Sequence, residues 1–248
     1  MPQYMLGVRG VTEVSRRQYV PALVTLVALA CGLASLEATR MGAFDIALWF
    51  IVLAAAADGV DGAVARKMRA AGPMGAQLDS LSDVITFGVA PAFLFATAYA
   101  EVPGIIRFGA ALAFVGCGAF RLARYNAEPS GAAFSGLPIP AAGALLAALV
   151  VGPFASEPRL SELVTVVLAG LMVSRHPFEK FAHYRWAVLP VAGVGVLWLV
   201  LWRSGETLAM AIAVTLATYV VWSLVSRLVD EGARGIVDEI RSHVRPRS

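Results

Sequence analysis

Charged residues are scarce in this chain of 248 residues: Asp, Glu, Lys and Arg make up 15% of it, against about 25% in an ordinary soluble domain. Cysteine and histidine are scarcer still, at 2 and 3 residues. Cys31 and Cys117 each lie inside an apolar stretch, where cysteine behaves as a small buried hydrophobe. So few cysteines exclude a disulfide scaffold and a thiolate metal cluster. There is little excess of one sign either, because 20 basic residues face 17 acidic ones for a net charge of +3. A nucleic-acid partner is therefore not expected, since such domains carry a concentrated basic surplus. A cleavable signal peptide is not expected. The first 17 residues are polar and carry Arg9, Arg16 and Arg17, and no small-residue cleavage site follows a short apolar core.

What is present is apolar. Hydrophobic residues reach 58% and the mean hydropathy is +0.73. These values exclude a disordered chain and a soluble globular domain, and they predict an all-α, polytopic membrane protein. Spans of about 20 apolar residues are expected at 18–36, 43–65, 80–100, 104–123, 137–155, 160–175, 186–202 and 207–226. The count is eight transmembrane helices in a single domain covering 1–248. Residues 1–17 mix apolar and basic side chains as a short interfacial helix would. Residues 18–226 form the transmembrane bundle, and 227–248 form a cytoplasmic tail.

Charge placement supports this count. With eight spans, both termini and the even-numbered loops share one side, which holds 16 of the 20 basic residues. The other side holds Arg40, Arg107, Arg159 and Arg203. By the positive-inside rule both termini are expected in the cytoplasm.

The anomaly is a group of acids. Asp58 and Asp61 lie at the cytoplasmic end of the second span, and Asp79 and Asp83 at the start of the third. A charge at membrane depth costs roughly 2.5–3.5 kcal/mol on insertion scales, so four carboxylates require compensation. Spacings of three and four residues place each pair on one helix face. Gly72 and Pro73 break the chain between the two helices, which bends them into a hairpin with the pairs opposed. One Arg cannot neutralise four carboxylates, whereas a hard divalent cation can. All-oxygen ligation suits Mg²⁺, Mn²⁺ or Ca²⁺. Gly59, Gly62, Ala63, Ala65 and Gly75 leave room for a bulky group beside the acids. Arg66, one turn beyond Gly62, can grip a phosphate oxygen. The residues themselves point to phosphoryl-type chemistry at the cytoplasmic surface. The bland reading is a carboxylate–Arg network that only packs two helices.

The pattern Asp58-x-x-Asp61-Gly62-x-x-Ala65-Arg66, eight residues, then Gly75-x-x-x-Asp79-x-x-x-Asp83 resembles the signature of the CDP-alcohol phosphotransferases at all its fixed positions. That resemblance implies an integral-membrane transferase that moves a substituted phosphoryl group from a CDP-linked donor to an alcohol and releases CMP. It implies that Asp58, Asp61 and Asp79 bind metal, and that Asp83 both binds metal and acts as the catalytic base. Gly62, Ala65, Arg66 and Gly75 would then line the CDP-donor site. A homodimer and a bacterial inner-membrane location, with the site facing the cytoplasm, follow from the resemblance in the same way.

Further stretches are similar to the serine-using branch of this family: Gly75 to Ala92, Arg121-Leu-Ala-Arg-Tyr-Asn126, Phe134 to Ala142 and Leu171-Met-Val-Ser174. They imply CDP-diacylglycerol as donor and L-serine as acceptor. Arg121 or Arg124 would meet the serine carboxylate, Asn126 would add a hydrogen bond, and Phe134, Gly136 and Pro138 would shape a loop over the site. The same arginines read more plainly as positive-inside anchors. His176 and His183 read as interfacial side chains. One departure stands out. Ala22 and Ala28 occupy positions where the family usually has asparagine, which puts donor contacts from the first span in question. A sister enzyme using glycerol 3-phosphate, inositol phosphate or another alcohol is the alternative. A cation or proton transporter is more remote, because it would carry acids at mid-membrane in two related halves.

Overall fold

Helix α1 (Tyr19–Arg40) ends where Gly42 takes up a left-handed backbone, with φ of 74°. The Gly42 N–H donates to the Thr39 carbonyl at 3.0 Å and the Ala43 N–H to the Ala38 carbonyl at 2.9 Å. This pair of bonds is the Schellman arrangement, which closes a helix end and reverses the chain. Helix α2 (Phe44–Met68) therefore returns along α1. Ser35 Oγ staples the hairpin by donating to the Ala47 carbonyl at 3.0 Å. Ala47, Leu48, Ile51 and Ala54 of α2 are fully buried, the spacing of one helix face.

The computed structural model describes residues 19–68, 73–127, 136–152, 155–176 and 209–221, and at 19–21, 60–68 and 73 the backbone alone. Helix α3 (Pro73–Asp83) runs through a π-helical turn (Val84–Val89) into α4 (Ala90–Ala98). The sequence predicts a plain span over 80–100. The helix instead starts at Pro73, and its apolar rod, Met74–Ala98, is continuous, with one wider turn inside it. Helix α5 (Gly104–Ala127) follows a tight turn at Pro103, whose carbonyl accepts from Ile106 and Arg107. Helix α6 (Ile139–Val151) is shorter than the expected fifth span at both ends, whereas α7 (Pro158–Val173) has the length of the expected sixth and lies two residues earlier in the chain. The last described helix, α8, is Ala209–Val221. The expected interfacial segment 1–17, the span 186–202 and the tail 227–248 lie outside the described residues.

Helix α6 sits at the centre. It is apolar all round and nearly all of its residues are buried, as expected of a helix enclosed by others. It packs on α2, α4, α7 and the π-helical turn. Large apolar side chains on α1, α5 and α7 face outward, among them Leu23, Ile105, Phe108 and Leu163. Among the described residues, three helices, Ala22–Arg40, Met74–Ala98 and Gly104–Ala127, are long and apolar enough to cross a membrane. The all-helical expectation holds among the described residues. At the end of α4, Tyr99 Oη and Ser161 Oγ share a hydrogen bond of 2.8 Å that ties α4 to α7.

Candidate functional site

Asp58 comes from α2 and Asp79 and Asp83 from α3, and one carboxylate oxygen from each lies within 4.8 Å of the others. Asp58 and Asp79 are half-buried, whereas Asp83 is only 8% exposed. Of the two opposed pairs expected from the sequence, Asp58, Asp79 and Asp83 thus meet, while the connection through Gly72 lies outside the described residues. Oxygen ligands about 2.0–2.1 Å from an Mg²⁺ stand about 3–4 Å apart, so a small closure of this triad would seat one hard cation. The donor set, three carboxylates without nitrogen or sulfur, fits such a cation. Asp61, Gly62, Ala65 and Arg66 continue the backbone of α2 in the turns beyond Asp58, and their side chains lie outside the described ones. Gly75, one turn before Asp79, has no neighbour within 4 Å of where a Cβ would stand, among the described residues.

Helix α5 closes another side. Arg121 is 6% exposed, and its Nε is buried without a hydrogen-bond partner among the described residues. Asp83 is its foremost electrostatic partner, with Tyr125 and Tyr219 also near it. Arg124, one turn further on, donates to the Val173 carbonyl at 3.0 Å and the Ser174 carbonyl at 3.3 Å. These are carbonyls at the C-terminal end of α7, which a cation satisfies. Asn126 Nδ2 donates to Ser80 Oγ at 2.9 Å, which ties α5 to α3 beside Asp79.

The loop before α6 is held just as firmly. Gly136 has φ of 86°, and its N–H donates to the His176 carbonyl at 2.8 Å. A Cβ there would overlap the Met172 carbonyl oxygen, so both the backbone angle and the space call for glycine. Pro138 stands just before α6 as its cap residue. Phe134 lies outside the described residues. The structure also brings in residues that the sequence reading passes over. Ser82 Oγ donates to the Thr25 carbonyl at 3.3 Å, and Thr86 Oγ1 to the Ala28 carbonyl at 3.4 Å. Their signal is a hydroxyl on either side of Asp83, at positions one before and three after it. Tyr219, on α8, carries no comparable signal.

Residues 18–174 match the protein family described as CDP-alcohol phosphatidyltransferase. The chain is 37% identical over 169 residues to a Bacillus subtilis protein named CDP-diacylglycerol–serine O-phosphatidyltransferase, an alignment covering 67% of this chain and 92% of that one. A Helicobacter pylori protein of the same name is 34% identical over 178 residues, covering 67% and 74%. An archaetidylserine synthase of Methanothermobacter thermautotrophicus is 34% identical over 165 residues, covering 65% and 70%.

Proposed function

The chain belongs to the CDP-alcohol phosphatidyltransferase family, and from that premise we propose that it transfers the phosphatidyl group of CDP-diacylglycerol to the hydroxyl of L-serine, releasing CMP. The observation that carries this reading is the meeting of three carboxylates within 4.8 Å beside a buried Arg121 whose Nε has no partner among the described residues. The names of the relatives support serine as the acceptor.

The reaction divides among the residues as follows. Asp58, Asp61, Asp79 and Asp83 hold divalent metal, Mg²⁺ or Mn²⁺, with Ca²⁺ a further candidate ion. Such a cation supplies charge neutralisation of the donor diphosphate. Gly62, Ala65, Arg66 and Gly75 receive the CDP portion. Asp83 accepts the proton of the serine hydroxyl as its oxygen attacks the phosphatidyl phosphorus in line. The bond to the CMP oxygen breaks on the opposite side, and CMP leaves. Positioning and charge stabilisation carry most of the rate, as in other phosphoryl transfers. Arg121 meets the serine carboxylate, because its Nε is buried without a partner among the described residues and a charged donor in that state gains most from an anion. Arg124, Asn126, Gly136 and Pro138 frame that subsite, with Phe134 in the adjoining loop. An acceptor with one carboxylate suits this arrangement better than a phosphorylated one, since Arg124 already donates to two carbonyls.

The protein is integral to the membrane. We extend the described helices to eight spans in one domain, adding 186–202 and lengthening α8 to 207–226. Residues 1–17 form an interfacial segment, and 227–248 a cytoplasmic tail. The arrangement puts both termini and the site on the cytoplasmic side of a bacterial inner membrane. It is supported by the concentration of basic residues on one side. A homodimer completes the proposal. The test is CMP release by purified protein given CDP-diacylglycerol, Mg²⁺ or Mn²⁺, and one alcohol at a time. Release that depends on serine is expected. Release with glycerol 3-phosphate but not with serine overturns the acceptor, and none with any alcohol overturns the reaction.

A further inference from the structure

We propose that the π-helical turn Val84–Val89 sets the orientation of Asp79 and Asp83, and that Thr86 and Gly143 are positioning residues acting through it. The turn begins at the residue after Asp83. Its closing bond runs from the Ala90 N–H to the Ile85 carbonyl, five residues back rather than four. A π turn is one residue inserted into an α-helix. One residue corresponds to about 100° of rotation at 3.6 residues per turn. The two halves of the rod have different tasks. Beyond the turn, Ala90, Ala92, Leu94 and Phe95 are buried in the core and fix the direction of α4. Before it, Asp79 and Asp83 must face Asp58 of α2. A straight α-helix with the same buried face on α4 would swing both aspartates away from Asp58. The inserted residue reconciles the two faces.

Neighbouring helices hold the turn from two sides. On one side α1 approaches: Thr86 is fully buried and its hydroxyl donates to the Ala28 carbonyl at 3.4 Å. A Cβ at Gly32 would lie 2.9 Å from Thr86 Cα, so glycine is what permits that approach. On the other side α6 approaches. A Cβ at Gly143 would overlap the Phe87 carbonyl oxygen and stand 3.0 Å from Phe87 Cα. Phe87 is itself fully buried and cannot yield outward. The turn is thus clamped on both sides, and the clamp reaches the carboxylates through a few residues of rigid helix. Neither Thr86 nor Gly143 is assigned to substrate or metal contact.

The inference rests on the proposed role of the aspartates, so its test separates the two. Mn²⁺ binding, followed by the loss of free-ion signal in electron paramagnetic resonance, is measured alongside CMP release. The variants are Gly143→Ala, Thr86→Val and Thr86→Ser, with Gly170→Ala as a control, because a Cβ at Gly170 meets nothing within 4 Å among the described residues. A displacement of about 1 Å at a reacting group costs on the order of 10²-fold. Gly143→Ala is expected to lower kcat by about that factor and to weaken Mn²⁺ binding, with KM for CDP-diacylglycerol little changed. Thr86→Val is expected to lose kcat in the same direction, and Thr86→Ser, which keeps the hydroxyl, to restore it. If Gly143→Ala and Thr86→Val reduce only the folded yield, with kcat per folded enzyme and Mn²⁺ affinity equal to Gly170→Ala, the proposal is overturned. If the unaltered protein binds Mn²⁺ but releases no CMP with any alcohol, the proposed reaction fails, while the Mn²⁺ affinities still decide the role of the turn.

Discussion

In the proposed reaction, Asp83 and Arg121 are the two groups on which the chemistry turns at the level of single residues. Both are nearly enclosed, at 8% and 6% exposure, and each lies in the field of the other. A general base contributes on the order of 10²–10⁴-fold. Asp83→Asn is expected to lower kcat within that range while circular dichroism shows an unchanged helical signal, and near-normal turnover would remove Asp83 as the base. In the proposed division of roles, Arg121 bears on the acceptor alone. A hydrogen bond to a charged group is worth about 1.5–3 kcal/mol, which is on the order of 10–100-fold in affinity. Arg121→Lys loses the planar fork, so KM for serine should rise by about that factor while KM for the donor stays put. A rise in the donor KM instead would move Arg121 to the nucleotide side. The aspartates were legible in the sequence because charge at membrane depth is costly and stands out against an apolar background. The two arginines were not separable there. Arg121 and Arg124 are three residues apart on one helix, and only the packing of α7 on α5 turns one toward carbonyls and the other toward Asp83.

The helices form two kinds of boundary, and these differ in what the sequence discloses. The end of α1 is written locally, because Gly42 supplies the left-handed residue that a Schellman closure needs. The extents of α1, α2 and α5 follow from apolar runs bounded by Gly or Pro. The π turn has no local signature in Val-Ile-Thr-Phe-Gly-Val. It is stabilised by α1 and α6, which meet it from more than 50 positions away along the chain. The Tyr99–Ser161 bond joins α4 to α7 in the same long-range way. Both side chains are buried, at 2% and 1% exposure. Tyr99→Phe deprives Ser161 Oγ of that partner, and a buried polar group left unpaired costs about 1–3 kcal/mol. Tyr99 is about 24 Å along the rod from Asp83 at 1.5 Å per residue. A lower midpoint of thermal unfolding in detergent is therefore expected, with kcat of the folded enzyme unchanged. A loss of kcat at full stability would contradict this division of labour.

Across the whole molecule, a net charge of +3 conceals a strong asymmetry. The proposed topology gathers most basic residues on the side that also holds the aspartates, where anionic lipid and the donor meet the protein. It predicts that an epitope tag after Ser248 is removed by protease in inside-out vesicles and protected in right-side-out ones. The reverse pattern would invert the topology and the placement of the site. The π turn constrains the molecule in another currency, that of chain length. The rod from Met74 to Ala98 carries one residue more than an uninterrupted α-helix joining the same two faces. Deleting any one of Val84–Val89 would leave all four aspartates in the sequence and still point two of them the wrong way. The stretch can change its letters more freely than its length.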